Sequence, residues 1–148
     1  MKEFLVAIDG SEGSEAAIDE ALDLARDVGA HITFAFVRKP TSTLLGYPYY
    51  QRLLSNELAT ARATLESATG RFLAAGIETE CEVLEGEPVD EILSFADNRR
   101  ADLIIMGSRG RGAFAGALLG SVSSGVVQHA NVPVLVAKER SPRHFAVA

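Results

Sequence analysis

The sequence predicts an α/β fold: an open five-stranded parallel sheet with helices on both faces, Rossmann-like, in the strand order 3-2-1-4-5. Three observations carry that expectation. Short apolar runs alternate with longer segments of helical periodicity, an order that builds a parallel sheet through right-handed crossovers. The runs FLVAI (4–8) and DLIIM (102–106) are apolar with little alternation, as strands covered on both faces are. Small polar residues gather directly after these two runs, at Asp9-Gly10-Ser11 and Gly107-Ser108. If strands 1 and 4 are neighbours, both segments meet at the crevice where open α/β sheets bind ligands.

Each element follows from local pattern. After the first strand, Ala17, Ile18, Ala21, Leu22, Ala25 and Val28 recur at helical spacing from about Ser14, with acidic residues between them, and Gly29 stops the helix. HITFAFV (31–37) is the second strand. The connection RKPTSTLLGYPYY is expected to be non-helical around Pro40 and Pro48. It holds all three tyrosines, Tyr47, Tyr49 and Tyr50, which form either a lid over a ligand or a hydrophobic plug. Leu54, Leu58, Ala61, Leu65, Ala68 and Phe72 line one face of a long second helix ending near Gly76. IETECEVLEG alternates apolar and polar residues, as a half-exposed edge strand does. Gly86 and Pro88 open a third helix with Val89, Ile92, Leu93 and Ala96 on one face. DLIIM is the fourth strand, a fourth helix covers roughly 121–130, and VPVLVAK (132–138) is the fifth strand.

At 148 residues the chain is one domain of ordinary size, assigned to 1–138. The aperiodic ERSPRHFAVA (139–148) reads as a loose tail. A hydrophobic share of 47% with 23% charged residues is the mixture of a soluble globular protein. The net charge of −6 argues against a general nucleic-acid or membrane-surface binder, so an anion would need a local site. No run approaches the length of a membrane span. The single Cys81 excludes an internal disulfide and, with no signal-peptide pattern at the start, points to the cytoplasm. Cys81 itself reads as an inert packed thiol. His31, His129 and His144 are scattered without a second ligand at helical or strand spacing, so no metal site is assigned.

The stretch MGSRGRGAFAGALLGS (106–121) holds five of the 13 glycines. Glycine loses the most backbone entropy on folding, so such a cluster needs a reason. A Walker A loop is ruled out because Ala113 stands where its lysine belongs. Gly110, Gly112 and Ala115 fit the dinucleotide fingerprint, but only 33 residues follow Ala115, too few for the strands that fingerprint should precede. A third spacing fits: Gly107, two residues, Gly110, nine residues, then Gly120-Ser121.

With that G-x2-G-x9-G-[ST] pattern, the segments FLVAIDGSEGS, ADLIIMGSRGRG and LLGSVSSGVVQHANVPVLV, in this order, resemble the universal stress protein family over nearly the whole chain. The resemblance is to its nucleotide-binding branch, and implies ATP, with Mg, as ligand and a homodimer formed through the last strand. It places Asp9 at the ribose, Ala7 and Ile8 beside the nucleoside, Val37 at the adenine through its main chain, and Met106 packed against it. The chemistry of the residues agrees. Gly107 and Gly110 can present backbone amides to an anion. Gly120, Ser121, Val122 and Ser123 lie where the next helix begins, and a helix N-terminus favours phosphate. The hydroxyls of Ser121 and Ser123 can contact phosphate or magnesium, and Arg109 and Arg111 can add charge-assisted contacts or point into water. The same residues also fit plainer roles: Asp9-Gly10-Ser11 as a turn, Gly120-Ser121 as an N-cap, Val37 and Met106 as core. Val132, Val134 and Val136 suit pairing at a sheet edge. No catalytic residue is assigned, because the motifs hold no acid besides Asp9 and no P-loop lysine. Three readings stand: a regulatory ATP-binding protein, a slow ATPase of the same fold, and a nucleotide-independent dimer acting through protein contact.

Overall fold

The computed structural model describes residues 1–108 and 119–139. Among these, the elements run β1 (Glu3–Ile8), α1 (Glu12–Val28), β2 (His31–Arg38), α2 (Tyr47–Ala74), β3 (Thr79–Glu85), α3 (Pro88–Asn98), β4 (Leu103–Gly107), α4 (Ser121–His129) and β5 (Val134–Ala137). The strands form one sheet in the order β3-β2-β1-β4-β5, every pair parallel. The order reverses between β2 and β4, on either side of β1, as the sequence predicts.

Side-chain alternation on the strands divides the core in two. Phe4, Val6 and Ile8 of β1 and Ile32, Phe34 and Phe36 of β2 face α1 and α2, joining Ile18, Ala21, Leu65 and Phe72 in one buried cluster. Phe34 and Phe72 meet edge to face, centroids 5.1 Å apart, the arrangement their ring quadrupoles favour. Leu5, Ala7, Ala35, Ile104 and Met106 face the other way, onto Ile92 and Ala96 of α3 and Val126 of α4. The central strands are buried on both faces, which explains their unbroken apolar runs. Gly29 ends α1 at φ 67°, in the left-handed region that glycine enters without strain.

Two boundaries differ from the sequence reading. Pro48 lies within α2, in its first turn, and not in a non-helical connection. A first-turn residue has no intrahelical acceptor for its N–H, so proline costs nothing there. The three tyrosines therefore belong to the start of α2. Of the apolar face of α2, Ala61, Leu65, Ala68 and Phe72 are buried, whereas Leu58 is exposed and Leu54 half-buried. The first half of this helix extends past the packed core. At the other sheet edge, β5 is shorter than VPVLVAK, and Val132 precedes it. β3 is an edge strand exposed over most of its length, with Cys81 exposed and not packed as expected. The proposed tail, from residue 140 on, lies outside the described residues.

Candidate functional site

A cleft of about 800 Å³ opens over the carboxyl end of β1. It reaches from the end of β2 (Val37, Arg38) and the connection Lys39–Ser42, across Ala7, Ile8 and Asp9, to Met106, Gly107 and the start of α4. One side is closed by Leu53, Asn56, Glu57 and Thr60 of α2. This is the switch-point location expected from the strand order.

At the cleft floor, α1 begins in a closed hydrogen-bond ring. Ser14 N–H donates to Ser11 Oγ at 3.3 Å, so Ser11 is a side-chain N-cap. Ser11 N–H and Ser14 Oγ donate to Asp9 Oδ1 at 2.9 and 2.7 Å, and Asp9 N–H donates to Ser14 Oγ at 2.7 Å. Glu12 and Glu15 place negative charge in the first turn. The turn reading and the site reading of Asp9-Gly10-Ser11 are thus compatible: the turn fixes the Asp9 carboxylate at the rim of the cleft.

The start of α4 is built differently. Gly120 is its N-cap and has no side chain to donate or accept, and the first turn holds no acid. The N–H of Gly120 is used, donating to Ser108 O at 2.7 Å, and Ser123 Oγ donates to the same carbonyl at 2.8 Å. Those two bonds anchor α4 to the exit of β4. They also commit the hydroxyl proton of Ser123, which is 2% exposed. The first helical N–H groups, on Ser121, Val122 and Ser123, have no acceptor within a helix, and all three residues line the cleft. Ser121 is exposed there.

Gly107 has a packing reason to be glycine. It keeps an ordinary φ, but a Cβ on it would lie 2.5 Å from the backbone carbon and oxygen of Gly13, in buried contact at the start of α1. The strand exit and the helix start touch backbone to backbone.

The structure gathers Ala7, Ile8, Asp9, Val37, Met106, Gly107, Gly120, Ser121, Val122 and Ser123 around one cleft. Met106 is buried, as its core reading expects, and Val37 is half-buried; Ala7 and Ile8 are buried core residues as well. Arg109, Gly110 and Arg111 lie outside the described residues. Sequence reasoning missed Arg38, Thr41 and the α2 wall. A signal was present: Leu53, Asn56, Glu57 and Thr60 follow the i, i+3, i+4, i+7 spacing of one helix face, beside the apolar stripe.

At the opposite end of the sheet, His31 is not isolated. Its Nδ1 lies 2.6 Å from Glu3 Oε2 and its Nε2 3.5 Å from Glu80 Oε2, bringing three potential metal-ligating groups together. Arg99 pairs with Glu80 and approaches Glu3 Oε1 at 3.6 Å, and Thr33 Oγ1 donates to that same oxygen at 2.8 Å. The carboxylates are thereby engaged in an ion-pair network under the end of α3.

Fold and cleft define a class: a doubly wound parallel α/β protein with a cleft at its switch point. A family model described as the universal stress protein family matches residues 1–138, and the chain belongs to that family. It is 34% identical over 143 residues to universal stress protein YxiE of Bacillus subtilis, covering 90% of this chain and 97% of the relative. Among solved structures, it is similar to a universal stress protein in complex with cAMP (31% identity, TM-score 0.67, 92% of this chain and 95% of that one). It is also similar to the universal stress protein of Archaeoglobus fulgidus in complex with dAMP (27% identity, TM-score 0.72, 93% and 98%). Among the described residues, no helix is long and apolar enough to cross a membrane.

Proposed function

We propose that this protein is an ATP-binding regulator of the universal stress protein family, holding the nucleotide in the switch-point cleft. The observation that carries the reading is the start of α4: three N–H groups without helical acceptors, no side-chain cap and no acid in the first turn, all at a cleft. Such an end attracts an anion through its amides and the helix dipole. Asp9, held in place beside the cleft by the serine ring, supplies a carboxylate for ribose hydroxyls. The nucleotide complexes of the two similar structures support an adenine nucleotide. Mg²⁺ would be held chiefly by the phosphates and water, with the exposed Ser121 hydroxyl as its protein ligand.

Binding is favoured over efficient turnover. Among the described residues lining the cleft, the acidic side chains are Asp9 and Glu57, and both are engaged by neighbouring donors. Neither stands as a base for an attacking water. ATP occupancy would then act by stabilising one state of the protein. We infer a homodimer through β5, whose edge position among the described strands leaves one row of backbone groups to pair. Residues 1–138 form the functional unit in this reading, 139–148 lie outside it, and the lone Cys81 fits the reducing cytoplasm.

Thermal unfolding with and without Mg-ATP tests the proposal. At a free concentration one hundred times Kd the ligand adds about 2.7 kcal/mol, a rise in Tm of several degrees for a domain of this size. A melting temperature unmoved by millimolar ATP, AMP and cAMP alike would overturn it.

A further inference from the structure

We infer that Arg38 is a positioning residue for the base-side wall of the cleft, setting the affinity for the nucleoside part of a nucleotide without touching its phosphates. The inference rests on the nucleotide reading above and concerns the end of the cleft farthest from α4.

The wall needs an outside support. The buried residues of α2 begin at Ala61, yet the part that lines the cleft is Leu53–Thr60, which precedes them. Packing against the sheet therefore fixes the second half of the helix better than the first. The connection Lys39–Ser42 has no regular structure of its own.

Arg38 ties these pieces together. Its side chain is only 10% exposed. Nη1 donates to Glu57 Oε2 at 3.1 Å, to Thr41 Oγ1 at 3.0 Å and to Lys39 O at 3.3 Å, while Nη2 donates to Glu85 Oε2 at 3.0 Å. Thr41 Oγ1 donates in turn to Glu57 Oε2 at 2.7 Å. One guanidinium thus joins the end of β2, the connection, the first half of α2 and the end of β3. The backbone closes the same joint, since Gly86 N–H donates to Arg38 O at 3.0 Å. A planar fork with five donors can bridge these acceptors at once, and a lysine ammonium cannot span them. The two carboxylates consume the charge of Arg38, so it is not a free cation aimed at phosphate. Its effect on a ligand is to keep the wall in place before binding, which removes a cost that a mobile wall would add.

Calorimetric titration of the full chain with ATP and with inorganic tripolyphosphate tests this. If losing Arg38 leaves the wall in its binding position about a tenth of the time, Arg38→Met weakens ATP about tenfold. Tripolyphosphate, which has no base to meet the wall, should stay within about twofold in the same model. Arg38→Lys should fall between, and Thr41→Val, a milder cut in the same joint, should cost ATP about threefold. Arg38→Met/Glu57→Gln/Glu85→Gln removes all three charges and should still bind ATP weakly. Full recovery of ATP binding in that triple variant would show that unpaired carboxylates, not position, cause the loss, and would overturn the inference. Equal loss of both ligands in Arg38→Met, or no loss of either, would overturn it as well. A wild-type chain that binds no ATP would instead sink the nucleotide reading on which it rests.

Discussion

Helices α1 and α4 both begin at the same cleft, and they resolve the same electrostatic problem in opposite ways. The start of α1 carries its own partial answer: Ser11 caps the Ser14 N–H, Asp9 accepts from both serines, and Glu12 and Glu15 offset the positive end of the dipole. The start of α4 leaves its need unmet by the described residues, with a glycine cap and no acid. In the proposed reading, the difference separates scaffold from receptor. A helix end with a side-chain cap and acids in its first turn has little attraction left for an anion, whereas one with neither can be completed by one.

Three substitutions break or sharpen that contrast, taken from the largest effect down. Gly107→Ala attacks the place where scaffold meets strand, forcing a Cβ within 2.5 Å of the Gly13 backbone. Because backbone cannot rotate aside as a side chain can, the variant should lose about 3 kcal/mol in denaturant unfolding. A loss below about 1 kcal/mol would mean the contact relaxes easily. Gly120→Asp makes α4 resemble α1 by supplying a cap and a charge together. The apo protein should gain about 1 kcal/mol in stability, while ATP affinity falls about thirtyfold, and both are read from one set of ligand-dependent melts. Stabilisation with unchanged ATP affinity would place the phosphates elsewhere. Ser11→Ala makes the smallest change, removing the cap of α1 at a cost of about 1 kcal/mol by chemical denaturation. An effect under about 0.3 kcal/mol would show that Asp9 and the acidic first turn hold α1 without it.

The elements that carry the cleft were largely legible in the sequence because they sit on strong local signals. Apolar strand runs put the ends at Ile8 and Met106, the first as observed and the second one residue short of Gly107, and the switch-point rule brought them together. What was not legible depends on distance or context. The proline at 48 reads as a breaker unless its place in the helix is known. Arg38 reads as a polar strand end until Glu57 and Glu85, 19 and 47 residues away, close on it. His31 looks solitary because its partners lie on neighbouring strands, Glu3 being 28 residues distant, and only the register joins them. The reason for Gly107 was hidden for the same cause: the sequence shows a glycine near a motif, but not the Gly13 backbone lying against it.

The Gly107–Gly13 contact has a mechanical consequence. With no side chain between them, β4 and the start of α1 pack backbone to backbone, which leaves the cleft floor no slack to give. Among the described residues, the side with less packing behind it is the opposite one, where a helix reaches past its core packing and polar bonds hold it. The cleft therefore has one wall set by backbone packing and another pinned by hydrogen bonds centred on a single arginine.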